Sequence, residues 1–318
     1  MSFLKRAAVF LVLGGFMGGG LFAQVNNMGH FDGNLLNQKI DGFIKSVSTL
    51  IPSSATMGNT WSYVPGKKLW YGFGMNGSLA FRDRRDDGNI SKDMKTFGAD
   101  NLDLTTFPDL IPLLPGLTLD ARFGFKRFDI GVTGMWLDNN SLADNYGATF
   151  LGEGSRFAYR TFGADVRVAA LLEKKFIPNI TVQAGYYFTY LGFGFESESE
   201  YVDIKFVNDT MLIGVQVTYE KLVPFISPFL GFKTILYKTQ SAYEWQTQRP
   251  VIMNGVLNIP GVNYTSGPND TRFYTYLQIY GGLGVSLGLP HLFTASLAYN
   301  VITNHFAVNF ALRAILGN

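Results

Sequence analysis

The chain has 318 residues, with no cysteine, three histidines, and 26 basic against 24 acidic residues. Without thiols, disulfides and thiolate metal sites are excluded, and three histidines leave little for a histidine-rich metal centre or a general base. The near-even charge also excludes the basic face that a nucleic-acid partner requires.

Charged residues are 16 % of the chain and aromatics 15 %, where soluble domains average about 25 % charged. A surface facing lipid has this balance. The first 23 residues read as a signal peptide: Lys5 and Arg6 form a basic start, Ala7 to Phe16 an apolar stretch, and Leu21-Phe22-Ala23 precede Gln24 as a cleavage region. A spanning helix needs about 20 apolar residues, and this stretch is shorter and glycine-rich, so cleavage is expected rather than an anchor. No later segment is long enough for a membrane helix, so membrane residence requires a barrel.

Residues 24–66 do not alternate. Leu36, Ile40, Phe43, Val47 and Leu50 are spaced four, three, four and three apart, with Ile44 and Ile51 widening the stripe. This spacing predicts an amphipathic helix, capped by Asp32-Gly33-Asn34 and ended by Pro52. Leu36, Ile40, Phe43, Ile44 and Val47 would be its contact face as a plug. A cover over the periplasmic mouth is slightly preferred, because a ten-stranded lumen has little room beyond its own side chains.

From residue 67 to the end the chain reads as a β-barrel. In Leu69 to Phe81 one face carries Leu69, Tyr71, Phe73, Met75, Leu79 and Phe81, and the other Trp70, Gly72, Gly74, Asn76, Ser78 and Ala80. Successive strand residues point to opposite faces, so the segment has one oily side. The pattern recurs in Leu117 to Phe125, Phe128 to Trp136, Phe162 to Leu172, Ile180 to Tyr190 and Met211 to Tyr219. It weakens in Phe225 to Tyr237, beside Pro224 and Pro228, and returns in Leu277 to Leu287, Phe293 to Val301 and Phe306 to Leu316. The expectation is an all-β, transmembrane, antiparallel up-and-down barrel of about ten strands, with twelve to fourteen as the wider range.

The links alternate in length. Lys126-Arg127, Glu173 to Asn179, Glu220 to Pro224 and Gly288 to Leu292 are short, whereas 82–116, 137–161, 191–210 and 238–276 are long. Short turns at one rim and long loops at the other mark outer-membrane barrels. An even strand count then places both ends of the chain at the short-turn, periplasmic rim; only Ile302 to His305 is short on the outer rim. Oily faces that turn outward would leave Asp120, Arg122, Asp165, Arg167, Gln183, Gln216, Lys233, Gln278, Asn309 and Arg313 lining the lumen. Such groups are expected to pair, since isolated charges are costly at low dielectric.

The run Arg82-Asp83-Arg84-Arg85-Asp86-Asp87-Gly88-Asn89 lacks EF-hand spacing and reads as a solvated loop. Further on, Phe107, Leu110, Ile111, Leu113 and Leu114 are greasy for a loop and form a candidate apolar lid, and the 238–276 link has similar character. No metal site, cofactor site or nucleophile–base constellation stands out, and no enzyme is expected.

Together these features resemble an uncharacterised family of bacterial outer-membrane β-barrel proteins. The matching stretches are Leu35 to Leu50, Gly58-Asn59-Thr60-Trp61 with Lys67 and Lys68, Ile180 to Tyr186, Phe225 to Gly231, and His291-Leu292-Phe293. More distantly the chain is similar to fatty-acid-channel and small hydrophobic-solute barrels, with fewer strands than the former. The resemblance implies no reaction. It does imply outer-membrane lipid and the barrel-insertion machinery as partners, although the end Leu316-Gly317-Asn318 departs from the terminal aromatic which that machinery commonly reads. The leading functional expectation is a passive channel for small, apolar solutes. A closed structural or surface-interaction barrel is the alternative, with an outer-membrane hydrolase behind both.

Overall fold

The computed structural model describes residues 31–62, 69–82, 114–138, 155–174, 177–196, 200–220, 225–247, 251–258, 262–266, 273–287 and 291–317. The predicted signal peptide and most of the outer link 82–116 lie outside these residues.

Ten strands form the wall: β1 (Leu69–Arg82), β2 (Leu114–Phe125), β3 (Phe128–Asp138), β4 (Ser155–Leu171), β5 (Asn179–Glu196), β6 (Glu200–Thr218), β7 (Ile226–Thr247), β8 (Tyr274–Ser286), β9 (His291–Asn300) and β10 (His305–Leu316). Each pairs antiparallel with the next, and β10 returns to β1 through registers running from His305↔Arg82 to Leu316↔Tyr71, which closes the ring. Closure removes every sheet edge, the condition under which a sheet can sit in hydrocarbon. The expected up-and-down barrel is therefore the observed one.

The outer wall carries the oily rows. Phe73, Leu119, Val132, Phe162, Val182, Ile213, Phe232, Ile279, Leu297 and Phe310 are all exposed there. Burying them inside would demand the opposite pleat, so the sense of the barrel follows from the alternation itself. Ile213 is 62 % exposed on this wall, and a charge at the bilayer midplane costs about 2–4 kcal/mol. Ile213→Arg is expected to lower folding stability in lipid vesicles by that amount, read by urea titration; an unchanged midpoint would place Ile213 outside the belt.

The wall is taller on one side than the sequence pattern predicts. The expected long link 191–210 is almost all strand, with β5 and β6 paired from Asn179↔Thr218 up to Glu196↔Tyr201, and β7 continues to Thr247. Above the belt the polarity of the pleat reverses. Leu191, Ile204, Phe206, Tyr243 and Trp245 are buried inside, while Asp203, Lys205, Lys238 and Glu244 take the alternate positions. Above the hydrocarbon, outward side chains meet water and inward ones meet whatever fills the mouth. That reversal hid these residues from a search for oily outer rows.

What fills the mouth is helix α1 (Gly33–Met57). It is 25 residues long and continues past Pro52, the expected stop. It is not a cover over the periplasmic mouth: it is wedged between β1, β2 and β10 on one side and β5, β6 and β7 on the other. Ile40, Ile44, Val47, Leu50 and Ile51 are buried against Ala80, Leu114, Tyr159, Phe206, Tyr243 and Trp245. The expectation of insufficient room fails because several inward positions are glycine. An added Cβ at Gly72 would stand 2.6 Å from the Trp61 ring, and one at Gly116 or Gly284 would collide with Ser54 or Ser62.

Candidate functional site

The ten lumen residues expected from the sequence all point inward, and nine are buried outright, with the Asp120 side chain only 7 % exposed. They do not line an open passage. They comprise a set of charged groups and a set of neutral ones interleaved with it, and both are engaged with the plug.

The charged layer is built on strand parity. Asp129 on β3 stands inward between Arg122 on β2 and Arg167 on β4, so one carboxylate bridges two guanidiniums. Its Oδ2 accepts from Arg167 Nη2 at 2.8 Å, and its Oδ1 accepts from Arg122 Nη1 and, at 3.1 Å, from Arg167 Nε. Arg122 also donates to Asp165, which accepts from the Tyr187 hydroxyl at 3.3 Å. Asp120 accepts from the Asn76 amide and stands 3.8 Å from Arg313 Nε. Asp129 was missing from the sequence reading, yet its parity within Phe128 to Trp136 already placed it on the polar face.

Against three carboxylates stand four cations: Arg122, Arg167, Arg313 and Lys233. Their surplus is directed at the carbonyls that end the plug. Arg313 donates to the carbonyls of Thr60 and Gly58, each at 2.9 Å, and Lys233 to that of Thr56 at 2.9 Å. The Trp61 carbonyl accepts from Gln216 at 2.8 Å and from Arg167 at 3.3 Å. A helix C-terminus has orphan carbonyls and a partial negative charge, so cations there satisfy both. The Trp61 ring sits inside the same cage, with the guanidinium carbons of Arg313, Arg122 and Arg167 at 4.3, 5.3 and 6.0 Å from its centroid. Trp61 lies in the non-alternating link, where no periodicity marks it.

Beside these charges Gln183, the register partner of Arg167, donates to the Tyr280 hydroxyl, which donates to Gln216, at 3.2 and 3.3 Å. Gln278 donates to Ser53 Oγ at 3.3 Å. Ser53 Oγ lies 2.5 Å from His305 Nε2 and 2.9 Å from the Tyr276 hydroxyl, while His305 Nδ1 is 2.6 Å from Thr303 Oγ1. This is a serine–histidine contact that sequence spacing could not show, because 252 residues separate the two. Both are buried between plug and wall. Asn309 is buried beside Ser78 and Ser296 in the ladder.

Of the candidate lid residues, Phe107, Leu110, Ile111 and Leu113 lie outside the described residues. Leu114 opens β2 and belongs to the core around the plug. Of the candidate plug residues, Ile40, Ile44 and Val47 are buried in the lumen, and Leu36 and Phe43 lie on the same helix. Among the described residues no helix is long and apolar enough to cross a membrane, and no cluster of potential metal ligands occurs.

No protein-family model and no curated protein matches this chain. Among solved structures it is similar to the translocator domain of the autotransporter NalP from Neisseria meningitidis, at 9 % identity and TM-score 0.37 over 89 % of this chain and 98 % of that one. It is also similar to the outer-membrane protease OmpT from Escherichia coli, at 10 % identity and TM-score 0.38 over 81 % and 99 %. A third likeness is to the CymD monoaromatic hydrocarbon channel, at 10 % identity and TM-score 0.25 over 85 % and 92 %. These three have different activities, and none is carried over; what stands is the closed ten-stranded barrel with an oily outer wall and a helix in its lumen.

Proposed function

We propose that this chain is an outer-membrane barrel held shut by its own N-terminal helix, serving as a closed surface anchor that acts through its long-link rim. The observation that carries the reading is the occupied lumen: the helix and residues 58–62 contact both sides of the wall, and the arginines, Lys233 and Gln216 of the lumen donate to buried carboxylates and plug carbonyls. A conducting pore needs inward groups free to meet solute and water. The belt of exposed apolar residues supports residence in lipid, and the asymmetry of link lengths supports the outer membrane, with the short turns in the periplasm.

On this reading Ser53 and His305 form a latch between helix and wall and not a catalytic dyad, because a nucleophile must reach its substrate and be activated by an oriented base. The imidazole is held on its other nitrogen by the Thr303 hydroxyl, and Ser53 and His305 are both buried between plug and wall.

Reconstituted into planar bilayers, the mature protein is expected to give no discrete conductance steps, and liposomes carrying it should take up apolar solutes no faster than empty ones. Discrete steps, or accelerated uptake, would return the passive channel to first place. Hydrolysis of lipid or peptide that disappears in Ser53→Ala would return the hydrolase.

A further inference from the structure

Both ends of the plug are fixed by named partners, and together they give it a direction. At its start, Asn37 Oδ1 accepts from Trp245 Nε1 at 2.8 Å, and Trp245 lies two residues before the upper end of β7. Just upstream, Phe31 and Asp32 pair in parallel with Val251 and Ile252, in the long link that follows β7. At its end, the Trp61 ring meets Trp70 with centroids 6.0 Å apart, and Ser62 packs on Gly284. Trp70 is the second residue of β1 and Gly284 the third from the end of β8, both at the short-turn rim.

The plug therefore enters at the long-link rim and descends to the short-turn rim. Most of the helix stands in the upper mouth: Ser53, near its end, meets His305, the first residue of β10 at the long-link rim. The last turn and residues 58–62 then carry the chain down the lumen, with Gly58 against Thr118 and Trp61 against Gly72. The sequence reading placed both ends of the chain at the short-turn rim. The barrel itself begins and ends there, at Leu69 and Leu316, but the helix places Phe31 at the opposite rim. Reversing the helix would take the carbonyls of Gly58, Thr60 and Trp61 away from Arg313, Arg167 and Gln216, so the direction is not interchangeable.

We infer that the upstream end of the plug, from Phe31 to Gln38, is presented on the cell surface, as part of the same outward face as the long links. The barrel then acts as an anchor held at the cation-bound end of the plug, with the other end of the plug opening outward. The small sheet made by Phe31–Asp32, Val251–Met253 and Val256–Asn258 staples that exit. This inference rests on the long-link rim facing outward, as in the proposed function.

Because the chain has no cysteine, a single introduced thiol is a unique probe. Gln38→Cys, at an exposed position near the start of the helix, would be expressed in the full chain and treated on intact cells with a membrane-impermeant maleimide. Ile302→Cys, in the exposed link between β9 and β10, and Arg127→Cys, in the exposed turn between β2 and β3, mark the two rims. Heat-modifiable migration on gels confirms that each variant has folded. The expected result is full labelling of Gln38→Cys on intact cells, matching Ile302→Cys, with no gain on permeabilising the outer membrane. Arg127→Cys should react only after permeabilisation. If the Gln38→Cys thiol stays silent until permeabilisation, or throughout, while Ile302→Cys reacts, surface presentation is overturned and the barrel's orientation stands. If Arg127→Cys reacts on intact cells and Ile302→Cys does not, the orientation itself has failed, and both readings fall with it.

Discussion

Replacing Asp129 by alanine is expected to lower the unfolding free energy of the barrel by about 3–5 kcal/mol, the usual cost of removing one partner from a buried ion pair. The side chain is 0 % exposed and takes hydrogen bonds from both Arg122 and Arg167. Removing it leaves four cations facing two carboxylates, in a layer where field lines run through protein and not water. Arg122 would still reach Asp165, and Arg167 the Trp61 carbonyl, so the barrel should fold but melt earlier. Asp129→Asn separates charge from shape, since an amide of the same size keeps one acceptor oxygen. It is expected to lose most of the stability that alanine loses, because the surplus charge is the larger cost. Urea titration of protein folded into lipid vesicles, followed by tryptophan fluorescence, measures both. An alanine variant within about 1 kcal/mol of the parent, the range of a solvated surface pair, would mean that water reaches this layer.

The wall of the barrel was legible because membrane strands repeat one simple demand. Every second side chain from Leu69 to Phe81, or from Leu117 to Phe125, must tolerate hydrocarbon, and a one-residue slip would invert the whole row. The same parity puts all ten candidate lumen residues on the inward rows, and it puts Asp129 there too. It failed where its premise failed. Above the belt, Asp203, Lys205 and Lys238 take the outward positions while Ile204, Phe206 and Trp245 turn inward, so strands stand where a loop was expected.

The plug was half legible. The spacing of Ile40, Ile44, Val47 and Ile51 predicts a helix with an apolar stripe, but nothing in that stripe says which surface receives it. The information sits elsewhere in the chain, in the inward glycines. Gly72, Gly116 and Gly284 lie opposite Trp61, Ser54 and Ser62, and a lumen counted with side chains at those positions has no room for a helix. Pro52 misled for a local reason. Proline inside a helix removes a hydrogen bond and clashes with the preceding turn, yet here the turn beyond it is held by the wall. Ser53, Ser54, Thr56 and Met57 are all buried, and packing of that extent outweighs a local preference.

The Trp61 ring stands between three guanidiniums that share one layer, and Trp61→Ala is the variant that tests its part in holding them. Trp61 is 1 % exposed, in contact with Trp70 and with the faces of Arg313, Arg122 and Arg167. Truncating a buried tryptophan to alanine costs about 3–5 kcal/mol, and a desolvated cation over an aromatic face contributes about 2 kcal/mol. The loss should therefore lie toward the upper end of that range, with Trp61→Phe intermediate because it keeps a smaller aromatic face. The backbone carbonyl of residue 61 still accepts from Gln216 in either variant, so the helix end stays tethered while its packing is lost. Combining Trp61→Ala with Asp129→Ala is the sharper measurement. Both changes act on Arg122 and Arg167, and groups sharing partners show coupling of about 0.5–3 kcal/mol. Once Asp129 is gone, the arginines are freer to move away from the ring, so the double variant should lose less than the two single losses added together. Strict additivity would show that the tryptophan and the carboxylate hold the plug independently, and the cage would then be two separate contacts.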